Sequence, residues 1–544
     1  MPKFKLTSEY LLSLYLQIFK KNREIDTIRA SWGREVHKDR DFKTISTYHC
    51  LLNDSRSKQA VDENTWNDLN MNSIFSKIDR NVSQIGSQYL YHLLHAYEEN
   101  STLTERAKRY RIYLKQDDLR EKILLQLNRL RHKEAAFLPC FIFKEAPKRP
   151  QEYYIIYFLS FLIMLSTALN FFNSIFVFPT VGLMVVNLLV SRFYSRKVTS
   201  YSSDLSNLSI LLDIGVRLSE NDHKGITQLA ELGELRSFAT TLNKKIGWLS
   251  IDETRLNEFG RAIVAYLNYF WLFNLVAFVR SIQVIGDQQG KIQQIFELVA
   301  SLDAEISITS YLENLPYYCR PRFNMKNHIE VREIYHPLLA DPVSNSFHLQ
   351  NKSALITGSN MAGKTTFIKT IGVNIILGQT IAICLAREAC LPQSAVRTSI
   401  KRTDDIGDNK SYYFKEIEAI LEFMKIGSHQ NGFVFLIDEI FRGTNTVERI
   451  AAATSVLRQL SRNNLSLVTT HDVELQKLLV EDFGMYHFCE QIEDGIHFFN
   501  YRIQNGPTSS HNAIRLLEIK GFPKNVVQEA HALAEKFAQN GSFE

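Results

Sequence analysis

From Tyr153 to Ser191 the chain has no Asp, Glu, Lys or Arg, an uninterrupted run of 39 residues. One helix crosses a bilayer with about 20 apolar residues, so this run predicts two. They are placed near Tyr153–Leu169 and Ile175–Ser191, joined by the polar break Asn170-Phe171-Phe172-Asn173-Ser174. Lys144, Lys148 and Arg149 lie before the run, Arg192, Arg196 and Lys197 after it, and the turn carries no charge. Positive charge at both outer ends predicts a multi-pass membrane protein with both termini cytoplasmic and lipid as a partner. Tyr153, Tyr154, Tyr157 and Tyr194 suit the interfacial belt, and Pro179 falls in the first turns of the second helix, where it is tolerated. The competing reading is a buried hairpin in a soluble core, which rarely keeps so long a stretch free of charge.

Around this run the chain reads as helical. Ile74, Ile78, Val82 and Ile85 recur at helical spacing and continue into Tyr89, Leu90, Leu93 and Leu94. Residues 200–315 carry similar runs, such as Ile263 to Ile285, and the pattern breaks at Pro316 and Pro321. Beyond it, β-branched runs alternate with helical stretches, as in an α/β domain. The 544 residues allow two to four domains, and at 45% apolar and 22% charged the chain can pack ordinary cores. A net charge of +5 points only weakly to an anionic partner. The six cysteines show no CxxC pair and no zinc spacing, which predicts reduced thiols. Leu11–Phe19 is too short, and too poorly flanked, for a secretory signal.

The chemistry begins at the apolar strand Ala354-Leu355-Ile356-Thr357, followed by Gly358-Ser359-Asn360-Met361-Ala362-Gly363-Lys364-Thr365 and a helix opening at Thr366. This is G-x-x-x-x-G-K-T in its required strand–loop–helix context. The glycines let backbone N–H groups curl around phosphates, and the helix N-terminus favours anions. Lys364 is predicted to reach the β- and γ-phosphates of ATP, and the Thr365 hydroxyl to ligate Mg²⁺. Phe433–Ile437 is a second buried-strand run, ending in Asp438-Glu439. Asp438 suits the Mg²⁺ role and Glu439 that of base or water-orienting group. A third strand, Leu465–Thr470, ends in His471-Asp472, where His471 can sense the γ-phosphate.

Together these motifs resemble the MutS family of DNA mismatch-repair ATPases. Thr357–Thr366 is similar to that family's T-G-P-N-M-G-G-K-S-T, Asp438–Thr446 to D-E-L-G-R-G-T-S-T, and Thr470-His471-Asp472 with Glu474-Leu475 to T-H-Y-x-E-L. Asp404-Asp405-Ile406 and Ser411–Ile417 resemble D-D-L and G-R-S-T-F-M-x-E-M; the resemblance implies that Ser411 reaches the partner's γ-phosphate in a dimer. Asn505–Pro523 resembles the close of the ATPase domain. Upstream, Asp79–Ser87 resembles the start of the family's helical lever domain, Leu302-Asp303 and Tyr318–Pro321 its end, and Tyr335–Leu338 the R-H-P-x-L entry to the ATPase domain. Ala362 stands for a loop glycine, Thr365 for serine, and Asn409 and Asn512 for glycines of the dimer-contact and C-terminal motifs.

The resemblance implies a C-terminal α/β P-loop ATPase domain (326–544) behind an all-α lever domain interrupted by a two-helix transmembrane hairpin. Its parts would be 1–150, the hairpin 151–192, and 193–325. The implied site uses Glu439, Lys364 and His471 for catalysis, Gly358–Thr366 with Ser411 for ATP, and Thr365 and Asp438 for Mg²⁺. The implied assembly is a homodimer through the ATPase domains, with duplex DNA as the partner the family carries. No G-x-F-Y-E stacking motif precedes the lever-like start, so mismatch reading is not expected. The alternative is an ATP-driven membrane switch acting on a protein or lipid client.

Overall fold

The computed structural model describes residues 22–52, 60–144, 153–221, 225–247, 266–267, 270–324, 328–359, 362–400, 412–429, 432–441, 445–493, 496–507, 514, 517 and 521–540. They divide into two compact units. One lies within Met1–Lys58, Phe75–Leu93 and Glu105–Leu315; the other lies within Gln59–Ile74, Leu94–Thr104 and Pro316–Glu544.

The first unit is helical, and its main elements here are α1 (Gln84–His95), α2 (Tyr153–Leu169), α3 (Val177–Leu218) and α4 (Gln289–Glu313). Leu205, Leu208 and Leu212 of α3 and Ile292, Ile295, Val299, Leu302 and Ile306 of α4 follow the spacing that puts apolar side chains on one helix face. They meet in a single core. The middle of α4 is buried all round, acidic residues included. Each buried acid is therefore matched. Glu305 accepts from Arg109 Nε and Nη2 at 2.8 and 2.5 Å. Asp303 accepts from the Ser83 N–H and hydroxyl at 2.8 and 2.5 Å and from the Val82 N–H at 3.2 Å. Burial still pushes the Asp303 carboxyl up to about 6, against the pull of these donors. The two sequence stretches that resemble the start and end of one lever domain thus meet directly at Ser83 and Asp303.

The charge-free run forms α2, a short 3₁₀ turn at Ser174–Phe176, and the beginning of α3. Its polar residues face one another: Ser166 Oγ lies 2.6 Å from Thr180 Oγ1, and Asn170 Nδ2 donates to Thr180 Oγ1 at 3.1 Å. Asn187 Nδ2 donates to the Phe270 carbonyl and Ser160 Oγ to that of Trp271. Phe158, Phe161, Phe178, Leu189 and Phe193 are exposed. Among the described residues one stretch, Ser174–Tyr194, is long and apolar enough to cross a bilayer, with a mean hydropathy of 2.0; Tyr153–Leu169 is apolar but shorter, at 17 residues. The second helix does not stop near Ser191 but runs to Leu218. Its hydropathy changes there while its helical spacing does not, because the later turns bury Leu205, Leu208 and Leu212 in the core.

The second unit holds two sheets. The larger has the order β10-β9-β4-β8-β7-β6, from β4 (Ser353–Thr357), β6 (Ala395–Ser399), β7 (Phe433–Asp438), β8 (Leu465–Thr469), β9 (Phe483–Glu493) and β10 (Ile496–Asn505). All its pairings are parallel except β10 on β9. Strands β4, β7 and β8 are buried along their whole length, as continuous apolar runs require in a parallel sheet. The smaller sheet has the order β1-β5-β2-β3, from β1 (Arg322–Asn324), β2 (His328–Ile334), β3 (Asn345–Gln350) and β5 (Glu388–Pro392). The longer helices of this unit include α5 (Lys364–Ile381), α6 (Tyr412–His429) and α7 (Thr446–Ser461). Residues 59–74 and 94–104 group with this unit rather than with the helical one. The buried Asp68 carboxylate accepts from Thr398 Oγ1 at 2.7 Å and the Ile400 N–H at 3.1 Å, and Trp66 stacks on His95 with ring centroids 3.6 Å apart.

Gly86 of α1 faces Asp303 so closely that an added Cβ would lie 2.6 Å from its Cγ. Gly86→Ala is expected to destabilise the helical unit by about 1–3 kcal/mol through overpacking, read as a lowered denaturation midpoint.

Candidate nucleotide-binding site

Strands β4, β7 and β8 are neighbours, so their C-terminal ends deliver the three sequence motifs to one place. That edge of a parallel sheet is where α/β folds bind ligands. Beyond β4 the backbone turns at Gly358 with φ +136° and passes so close to β9 that a Cβ there would sit 2.7 Å from the Phe488 carbonyl oxygen. Gly363 is left-handed at φ +99° and caps the start of α5. Ala362 is buried without positive φ, so its methyl group replaces a glycine without backbone strain. Asn360 and Met361 lie outside the described residues, as does Ser411 with Asp404, Asp405, Asn409 and Asn512.

Lys364 begins α5, 3% exposed, and its ammonium donates to the Gly358 and Ser359 carbonyls, each at 2.7 Å, with His471 Nε2 3.3 Å away. The Thr365 hydroxyl donates to the Asp438 carboxylate, its oxygen 2.9 and 3.0 Å from the two acceptors, and Thr469 Oγ1 also hydrogen-bonds Asp438. His471 Nε2 lies 2.9 Å from Glu439 Oε1. Lys364, Thr365, Asp438, Glu439 and His471 therefore form one contiguous polar cluster.

Glu439 and Phe441 are both left-handed, at φ +57° and +60°, which side chains adopt only when their surroundings hold them. Two contacts do so. The Glu439 N–H donates to the Thr469 carbonyl at 3.0 Å, and the Phe441 N–H donates to the buried carboxylate of Glu416 on α6. Arg449 of α7 grips Asp472 through two hydrogen bonds of 3.0 and 2.6 Å, and this pairing raises the Arg449 guanidinium further above its ordinary range. The Asp472 N–H bonds Thr470 Oγ1 at 3.0 Å, so the segment bearing His471 is tied on both sides.

Glu416, Arg449 and Thr469 were not singled out by the sequence motifs. Glu416 sits inside the Ser411–Ile417 stretch, which offered a signal; Arg449 had none. A cavity of about 380 Å³ lies beside the loop, lined by Tyr335, His336 and Gly363 to Thr366 of the motifs and by Leu339, Val343, Phe367, Phe488 and Tyr501, which no motif marks. Apolar and aromatic walls with a few polar groups are what a nucleotide base and ribose need.

The residues fit Mg²⁺ and a triphosphate. The loop is closed to a Cβ at Gly358, the Ser359 hydroxyl is buried with no hydrogen-bond partner among the described residues, and Thr365 and Asp438 present a hydroxyl and a carboxylate side by side.

Residues 354–538 match the family described as MutS domain V. The chain is similar to DNA mismatch repair protein MutS of Thermus thermophilus, 31% identical over 226 residues, which is 41% of this chain and 27% of that protein. The Thermus aquaticus protein of the same name is 30% identical over 256 residues, 46% of this chain and 31% of the relative. That of Clostridium kluyveri is 26% identical over 275 residues, 47% and 31%. These matches support a MutS relationship through the C-terminal half of the chain. The chain spans less than a third of the length of these relatives.

Gly358→Ala is expected to weaken binding of a fluorescent ATP analogue at least about 10-fold, because strain and the Phe488 contact together cost upwards of about 1.4 kcal/mol. Ala362→Gly, at an unstrained position, should leave affinity within about 2-fold.

Proposed function

We propose that this chain binds and hydrolyses ATP with Mg²⁺, works as a dimer through its ATPase domains, and is anchored in a membrane by the hairpin Tyr153–Ser191. The observation that carries the ATPase reading is the direct contact of Glu439 with His471 and of Thr365 with Asp438, beside Lys364.

Each residue's task follows from its surroundings. Lys364 places a positive charge against the loop carbonyls, where the terminal phosphates would lie. Thr365 and Asp438 would hold Mg²⁺, which when bound neutralises phosphate charge and orients the terminal phosphoryl group. Glu439, fixed by its backbone and by His471, orients the attacking water and accepts its proton. His471 links Glu439 to Lys364, so the position of the base follows the position of the phosphate-binding ammonium. Tyr501 and Val343, which both line the cavity, are the side chains offered to the base. Ser411 acts in trans by its resemblance to the dimer-contact serine of MutS proteins.

The membrane reading rests on the 39 uncharged residues and on the outward phenylalanines of α2 and α3. Of two client readings, DNA follows from the MutS name of the relatives. A membrane switch acting on a protein or lipid follows from the hairpin's insertion between the two parts of the helical unit.

In detergent-purified protein, Glu439→Ala should lower kcat at least about 100-fold while nucleotide binding persists, in the range seen when a positioned base or stabilising group is removed. Turnover per chain should rise with protein concentration; turnover independent of both Glu439 and concentration would sink the proposal. Duplex DNA added to the same assay decides the client: stimulation favours a tethered DNA-handling ATPase, and indifference favours the switch. Glu416→Ala, which frees the Phe441 N–H, should reduce kcat about 10-fold with little change in nucleotide affinity, a split that simple unfolding would not produce.

A further inference from the structure

On the face of the smaller sheet opposite its buried apolar side chains, two histidines and a glutamate converge. Side chains alternate across a strand. In β2 they put Ile329 and Val331 into the core and His328 and Glu330 on the other face; in β3 they bury Phe347 and Leu349 and turn His348 outward. The antiparallel register sets Glu330 directly opposite His348, with His328 two residues along on the same face. Two alternate residues of one strand plus the residue across from one of them is a compact triangle on a rigid support. The support is held by paired backbones and by four buried apolar side chains beneath.

The donor atoms of His328, Glu330 and His348 all lie within 4.8 Å of one another. His328 Nε2 is 3.5 Å from Glu330 Oε2, and the two imidazole rings meet edge-on with centroids 5.3 Å apart. A tetrahedral Zn²⁺ with bonds of about 2.0–2.1 Å separates its ligands by about 3.3 Å. The His328–Glu330 pair already stands near that spacing, and a side-chain rotation brings His348 to it. His328 Nδ1 is buried without a hydrogen-bond partner among the described residues, so no polar neighbour claims the ring through that atom.

We propose that His328, Glu330 and His348 form a binding site for a borderline-soft divalent cation of the zinc class. Two imidazole nitrogens with one carboxylate oxygen select Zn²⁺ over Mg²⁺ and Ca²⁺, which prefer all-oxygen sets. Three protein ligands leave a fourth position for water. The cation is distinct from the Mg²⁺ assigned to Thr365 and Asp438, and the site stands or falls independently of the ATPase reading.

The test uses the full-length protein stripped of metal by a chelator, then titrated with Zn²⁺ against a chromogenic indicator, beside His348→Ala and Glu330→Gln. Both substituted residues are largely exposed, and an unchanged far-ultraviolet circular dichroism spectrum and thermal midpoint report that the variants are folded. Wild type should bind one Zn²⁺ equivalent with low-micromolar affinity. His348→Ala should lose that equivalent or bind it at least 10-fold more weakly, with a smaller loss for Glu330→Gln. Co²⁺ should give the visible absorption of a four-coordinate site in wild type and not in His348→Ala. Identical titrations of wild type and His348→Ala, or no wild-type site tighter than 100 micromolar, would overturn the assignment.

Discussion

The carboxylate of Asp438 is the junction on which the candidate site depends. It ends a strand of the larger sheet, and it receives hydroxyls from Thr365, at the head of α5, and from Thr469, at the end of β8. Those contacts tie the strand ends that carry the three motifs into a single rim. Because β7 is buried along its whole length, the acid cannot swing out to water, so its partners come to it. Glu439 then leaves the sheet in a left-handed conformation, pinned by the Thr469 carbonyl, and meets His471 from the neighbouring strand. The strain of that turn is held by backbone hydrogen bonds and by Glu416 from α6, so the helix packed beside the sheet is part of the site's geometry.

A similar economy closes the helical unit. Asp303 is buried in α4, where an uncompensated carboxylate would be strongly destabilising. The residues just before α1 supply the donors, through Ser83 and the Val82 N–H, and Gly86 in its first turn supplies the room. Residues more than two hundred positions apart are thereby fixed together, and the long excursion containing α2 and α3 leaves and returns to one fixed base. Within that excursion the polar side chains of the apolar helices are turned toward each other and toward the Phe270 and Trp271 carbonyls, leaving an outer surface that is almost wholly apolar.

The candidate site was legible in the linear sequence because a phosphate-binding reading demands particular residues at particular spacings. A glycine is required where φ is positive, a lysine and a threonine where a helix begins, and acids where an apolar strand ends. Helix and strand types were readable for the same reason, since periodicity of 3.6 or 2 reports which face is buried. Boundaries were less so. The end of the second apolar helix was placed at Ser191 by its change in hydropathy, but a helix ends where its hydrogen bonding and packing end, at Leu218.

What the sequence by itself determined is local: the glycine-rich loop after β4, the strand-end acids, the charge-free run of residues 153–191, and the similarity of the C-terminal half to MutS proteins. What only the tertiary structure decided is which distant residues share a neighbourhood. It placed residues 59–74 and 94–104 with the second unit, through Asp68 and Trp66. It set Glu416 beneath Phe441, Arg449 on Asp472, and His348 across from Glu330. None of these pairings has a fixed sequence spacing, because each depends on strand order, register and helix packing. Those are settled by burying apolar surface over the whole unit rather than by any local run of residues.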